Sequence, residues 1–199
     1  MIRRALLSEA LGSLILFATV IGSGIMDERL ASGNEAIALI CNTLATAAIL
    51  FVLITMLGPV SGAHLNPAVT LIMHLRGHVS TGLVCGYVIA QVAGGVLGVW
   101  LTHLMFDEQV FQLSHKVRAG PGQWAGEAVA TFGPILTILG TSKVRPEHIP
   151  ASVARSMSDS FAGIAPWRVP ALLVAHLAGA IAAHVISKPL FPERQGLAT

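Results

Sequence analysis

Charge in this sequence is confined to short clusters, and the stretches between them are long enough to cross a bilayer. The clusters fall at Arg3–Arg4, Asp27–Arg29, Arg76, Asp107–Arg118, Lys143–Glu147, Arg155–Asp159 and Lys188–Arg194. A membrane-spanning helix needs about 20 mostly apolar residues. Five segments meet that length, at about 5–26, 36–57, 80–105, 123–141 and 169–187. An unpaired backbone group in hydrocarbon costs several kcal/mol, so such segments must be helical. Composition agrees: 54% of the 199 residues are hydrophobic and 11% charged, where a soluble domain carries about a quarter charged residues. The expected class is an all-α, multi-pass integral membrane protein, with residues 1–199 forming one domain in the bilayer.

Several other classes are excluded. A net charge of +2 is too small to imply a nucleic-acid partner. Cys41 and Cys85 lie inside apolar runs and read as small buried hydrophobes rather than a disulfide or metal pair. The first segment has Arg3–Arg4 before it and small residues at 22–24, as a signal peptide would. Its apolar run exceeds the usual 7–15 residues and contains Glu9, which favours a retained helix. His74 and His78 have the i, i+4 spacing of zinc ligands, but Gly77 intervenes and no glutamate base accompanies them. No metal, no cofactor and no enzymatic activity are expected.

Basic residues in short loops orient the spans. Arg3–Arg4 place the N-terminus in the cytoplasm, and Arg76, Lys143 and Arg145 then also fall inside. A fifth span starting inside would carry Lys188 and Arg194 to the outside, against the rule. One span is therefore expected to be missing from the pattern.

Internal repetition points to the same gap. Ala90, Gly94 and Gly98 recur as Ala175, Gly179 and Ala183, a constant shift of 85 positions (94 to 179). Small residues every fourth position let membrane helices approach closely. SEALGSLILF around Glu9 matches GEAVATFGPI around Glu127, but with a shift of 118 (9 to 127). Glu9 to Gln91 spans 82 residues and Glu127 to His176 only 49. The first repeat, about 1–106, is thus followed by a shortened second, about 123–187, that lacks about one spanning helix and a loop.

The stretch SGAHLNPAVTL (61–71) breaks the apolar pattern. The segment from Asn66 to Leu75 is too short to cross, so it reads as a re-entrant half-helix. Asn66 then Pro67 is an N-cap followed by a first helical residue. A capping Asn uses its oxygen and keeps its amide NH₂ as a donor. The helix start adds a positive dipole end, and Gly62 permits a tight backbone path before it. A donor, exposed carbonyls and a positive field that opposes cations are the physics of a pore for small neutral solutes.

SGAHLNPAV resembles the first signature of the aquaporin and aquaglyceroporin (major intrinsic protein) family, and the similarity runs over essentially the whole chain. The resemblance implies an inverted-repeat helical bundle with re-entrant half-helices, here with its second half shortened. It implies a passive channel for water, glycerol or metalloid hydroxides such as arsenite, usually a homotetramer with one pore per subunit. Asn66, Pro67 and Ala68 would be the first NPA motif, and His64 the histidine before it. Glu9 and Glu127 would hold loop backbone near the half-helices. Thr46 falls where the family places one residue of its outer constriction, and a small residue there resembles the wider, glycerol-passing members.

The second motif departs from the family. The counterpart of Asn66 would be Ala151, in the text HIPASVARSM, where Pro150 and Ala151 remain but Ile149 replaces the asparagine. Arg155 lies four residues past Ala151 and does not fit the family's constriction arginine. Either a deletion joins Val153 to Ala154 or a divergent half-helix survives; the fifth span is missing in both. Two functions stay open: a channel, or a non-conducting relative acting through association with intact homologues. The expected partners are lipid and small neutral solutes, and the expected location a bacterial inner membrane.

Overall fold

The computed structural model describes residues 2–114, 120–140, 167 and 169–191. They form six helices: α1 (Ile2–Leu30), α2 (Glu35–Ser61), α3 (Pro67–Leu75), α4 (Thr81–Met105), α5 (Pro121–Gly140) and α6 (Val169–Leu190). The helical class expected from the sequence is borne out. Among the described residues, four helices, α1, α2, α4 and α6, are long and apolar enough to cross a membrane. The fourth expected span, 123–141, forms the 20-residue helix α5, whose start carries Gln123, Gly126 and Glu127 and makes it less apolar than those four.

α1 and α2 overrun the apolar segments at both ends. α1 takes in Arg3, Arg4 and Asp27–Arg29, because helical hydrogen bonds do not depend on apolar side chains. At 1.5 Å per residue it is about 44 Å long, enough to carry charged ends through the interface. Asn34 starts α2 by accepting from the amides of Ala36 (3.1 Å) and Ile37 (3.2 Å). α2 stops at Gly62, whose φ of 87° is left-handed and whose N–H bonds Gly58 O at 2.9 Å.

α1 packs against α2 and α4, α5 packs against α6, and α3 lies between the two groups, touching α4 and α6. Ala68, Val69 and Ile72 of α3 share a cluster with Ile135, Ile138 and Leu139 of α5 and Ala180 and Ala183 of α6. The outer faces are apolar, with Leu11, Phe51, Ile89 and Val185 exposed. Cys41 and Cys85, expected to be buried, are exposed there too, because an apolar run in a membrane helix faces lipid as readily as the core. Lipid is as apolar as leucine, so burying such side chains gives no drive to associate. Close backbone approach and interhelical hydrogen bonds must do it.

The small residues supply the close approach. A Cβ on Gly94 would run into the Ala10 carbonyl, and one on Gly98 into that of Leu14. A Cβ on Gly179 would meet the Ala128 carbonyl in the same way. Ala175 and Ala183 are buried and Ala90 half-buried. α1 and α2 are joined by Asn42, whose Nδ2 donates to Val20 O and Ser23 Oγ, both at 2.8 Å.

Candidate functional site

The chain between α2 and α3 is non-helical, and three of its residues have positive φ: Gly62 (87°), Ala63 (46°) and Leu65 (48°). For Ala63 and Leu65 this conformation costs about 1–2 kcal/mol each. Glu9, fully buried in α1, holds the chain there. Its Oε1 accepts from Ser61 Oγ at 2.6 Å and from His64 N at 3.0 Å. Its Oε2 accepts from Leu65 N and from Gln91 Nε2, both at 2.7 Å. Four donors on one carboxylate are what an ionised glutamate can satisfy away from water.

The amides of Ala63, His64 and Leu65 all point inward, to Ser61 Oγ (3.1 Å) and Glu9. N–H and C=O point opposite ways across a peptide plane, so tying down the amides of residues 63–65 turns the carbonyls of 62–64 to the other side. Among the described residues no hydrogen bond is accepted by the carbonyls of residues 62–65. At the end of this ladder Asn66 Oδ1 caps α3 through Ala68 N at 2.8 Å. Asn66 is 1% exposed, and its Nδ2 has no hydrogen-bond partner among the described residues. The donor expected from the capping argument is thus present and unspent, at the positive end of α3.

A ring of side chains fixes this loop that the motif alone does not show. Thr70 Oγ1 lies 3.0 Å from Asn66 O, 3.0 Å from Gln91 Nε2 and 3.1 Å from His64 Nδ1. The Tyr87 hydroxyl donates to Ser61 O at 2.8 Å, and its ring meets the His64 imidazole edge-on. Tyr87, Thr70 and Ser61 escaped sequence reasoning because one turn of helix carries no sign of which distant loop it faces. Their only signal was that each is a polar residue inside an apolar run.

The second half repeats part of this arrangement. His176 Nε2 lies 2.8 Å from Glu127 Oε2, where Gln91 meets Glu9 in the first half. Gly179 rests on Ala128 as Gly94 rests on Ala10. Both pairs keep the shifts of 85 and 118 read from the sequence. Glu9 is fully buried, whereas the Glu127 side chain is 18% exposed. Thr46 is half-buried on α2, one turn beyond Asn42. Pro150, Ala151 and Arg155 lie outside the described residues. His74 Nδ1 lies 2.7 Å from Val79 O, which accounts for its place at the end of α3.

A cavity of 340 Å³ lies on the α4–α6 side of α3, walled by Leu65, Ala68, Val88, Leu173 and Leu177. It is almost wholly apolar, so a hydrated solute gains nothing by entering it. The polar face of the site is the carbonyl ladder ending at Asn66.

The family model described as "Major intrinsic protein" matches residues 1–157. Aquaglyceroporin AqpS of Rhizobium meliloti (strain 1021) is 43% identical over 203 residues, covering 90% of this chain and 87% of that protein. Probable aquaporin PIP2-8 of Oryza sativa subsp. japonica is 29% identical over 187 residues, covering 88% and 62%. Aquaporin TIP2-3 of Arabidopsis thaliana is 32% identical over 146 residues, covering 70% and 57%. The chain therefore spans most of the bacterial relative's length and about 60% of the plant relatives'.

Proposed function

The chain belongs to the major intrinsic protein family, and from that premise we propose that it is a passive transmembrane channel for water and small neutral solutes of glycerol size. The family consists of channels, so no catalytic step is assigned. The observation that carries the reading is the buried, unpartnered Nδ2 of Asn66 at the start of α3. A buried polar group without a partner costs about 1–3 kcal/mol. A hydroxyl or water passing the site removes that cost without needing a charge.

The open carbonyls of residues 62–65 accept from the same solute, and replace part of its hydration. The positive end of α3 opposes cations, protons included. Thr46 on α2 would narrow the outer entrance, and its small side chain suits glycerol or metalloid hydroxides better than water alone. Glu9 and Glu127 would be the acids that support the two halves, and Gly62 the hinge of the first loop. The 43% identity to a protein named an aquaglyceroporin over 90% of the chain supports this reading over a non-conducting one. That relative is bacterial, which supports a plasma-membrane location, and the resemblance extends the proposal to homotetramers.

The test is stopped-flow light scattering on proteoliposomes of the purified chain, challenged with sucrose and then glycerol beside empty vesicles. Faster shrinkage and glycerol entry than in empty vesicles are expected. Equal rates, with insertion verified, would sink the channel reading.

A further inference from the structure

We propose that Thr70 is a positioning residue that locks His64 in one tautomer, with Nδ1 protonated and Nε2 bare, so that the loop presents an acceptor on His64 as well as the donor on Asn66. The placing of these groups on a solute path rests on the channel reading above; the tautomer itself does not.

The argument is one of counting protons. Glu9 accepts from four donors, so the amide of Gln91 must turn its NH₂ toward Glu9 Oε2. Its second N–H then points at Thr70 Oγ1, 3.0 Å away. The Thr70 hydroxyl has one hydrogen and accepts up to two. Asn66 O, 3.0 Å away, is a carbonyl and can only accept. If Thr70 donates to Asn66 O and accepts from Gln91, one lone pair remains for His64 Nδ1 at 3.1 Å. That contact is a hydrogen bond only if Nδ1 carries the proton.

The opposite tautomer would have Thr70 donate to Nδ1 and leave its oxygen facing Asn66 O, lone pair to lone pair. It makes one hydrogen bond fewer. One net hydrogen bond is worth about 1 kcal/mol, a bias of about fivefold toward Nδ1–H. Free neutral histidine favours Nε2–H, so the site acts against the intrinsic preference; an Nε2–H would also be a donor with no partner among the described residues.

His64 Nε2 makes no hydrogen bond among the described residues. It lies on the Gly62 side of the loop, where a Cβ on Gly62 would come within 3.0 Å of it. Gly62 therefore has two reasons to lack a side chain: its φ of 87° and the room it leaves at this ring edge. With Nε2 bare, His64 offers an acceptor to a passing hydroxyl and Asn66 Nδ2 offers a donor. A solute with no hydrogen to donate fits only one of the two groups.

The test uses the full chain in lipid nanodiscs with ¹⁵N-labelled histidine, whose ring nitrogen shifts report the tautomer. A His64→Gln variant identifies the signal among the eight histidines. The wild type is expected to show His64 mainly as Nδ1–H. Thr70→Ser keeps the hydroxyl and should keep that tautomer, whereas Thr70→Val should return the ring to Nε2–H. Water flux in proteoliposomes should fall severalfold in Thr70→Val and stay near wild type in Thr70→Ser. A wild-type ring already in the Nε2–H form overturns the proposal, as does one that Thr70→Val leaves unchanged. The wild-type spectrum decides even if the valine variant fails to fold. Absence of flux in every sample, with the expected spectra, would remove the channel reading and leave Thr70's hold on His64 standing.

Discussion

Glu9 and Leu65 lie 56 residues apart in the chain, yet the carboxylate of one accepts the backbone N–H of the other at 2.7 Å. That bond, with its companion to His64 N, lets a loop with two left-handed non-glycine residues persist inside the helix bundle.

Glu9→Gln exchanges one of two acceptor oxygens for a donor and sets it against donors already in place. A buried donor or acceptor left unpaired costs about 1–3 kcal/mol, and at least one such loss is expected here. The variant should unfold at lower temperature and conduct poorly. Thermal unfolding in detergent and vesicle flux check this together; an unchanged midpoint would show that the carboxylate does not hold the loop.

Asn66→Asp separates capping from conduction. Asp caps a helix about as well as Asn, so the cap should survive, but the second carboxylate oxygen is buried without a donor and should lower stability by at least about 1–3 kcal/mol. Its carboxylate replaces the Nδ2 donor, and flux should collapse. Asn66→Ala should lose both, with a capping cost of about 1 kcal/mol. If Asn66→Asp conducts like the wild type, the Nδ2 donor plays no part in the path.

Gly94→Val should force α1 and α4 apart, because even a Cβ there meets the Ala10 carbonyl. Overpacking of this kind costs about 1–3 kcal/mol. Gly179→Val should do the same to α5 and α6 through Ala128. Gly126, which has open space within 4 Å of its Cβ position, is the control: Gly126→Ala should be neutral or better. Thermal midpoints of the three variants in one lipid system decide the matter.

Arg29→Ala should matter little. Arg29 Nη2 bonds Glu108 Oε1 at 2.7 Å and Phe106 O at 2.9 Å, but the two charged side chains are 52% and 37% exposed. Exposed ion pairs contribute about 0–1 kcal/mol. A larger drop in the unfolding midpoint would mean that this end of the bundle is drier than its exposure indicates.

Helices and their order were legible from the sequence because lipid imposes them: each charge cluster had to end a span. The Asn66–Pro67 cap was legible for a local reason, since the residues that make it are neighbours in the chain. α5 was legible as a helix from its length and apolar second half, while its polar start, Gln123 to Glu127, makes it the least apolar of the long helices. Gln91 was visible only as a spacing mark, and the structure gives it bonds to both Glu9 and Thr70.

The sequence by itself determined the class, the helix boundaries to within a few residues, the half-helix and the residue that caps it. These follow from hydrophobic length and near-neighbour hydrogen bonding. Only the tertiary structure decided where the amides and carbonyls of residues 62–65 point, and which proton His64 keeps. Those depend on Glu9, Thr70 and Gln91, which meet the loop from three helices, α1, α3 and α4, and lone-pair geometry in a buried site is set by the groups that converge there.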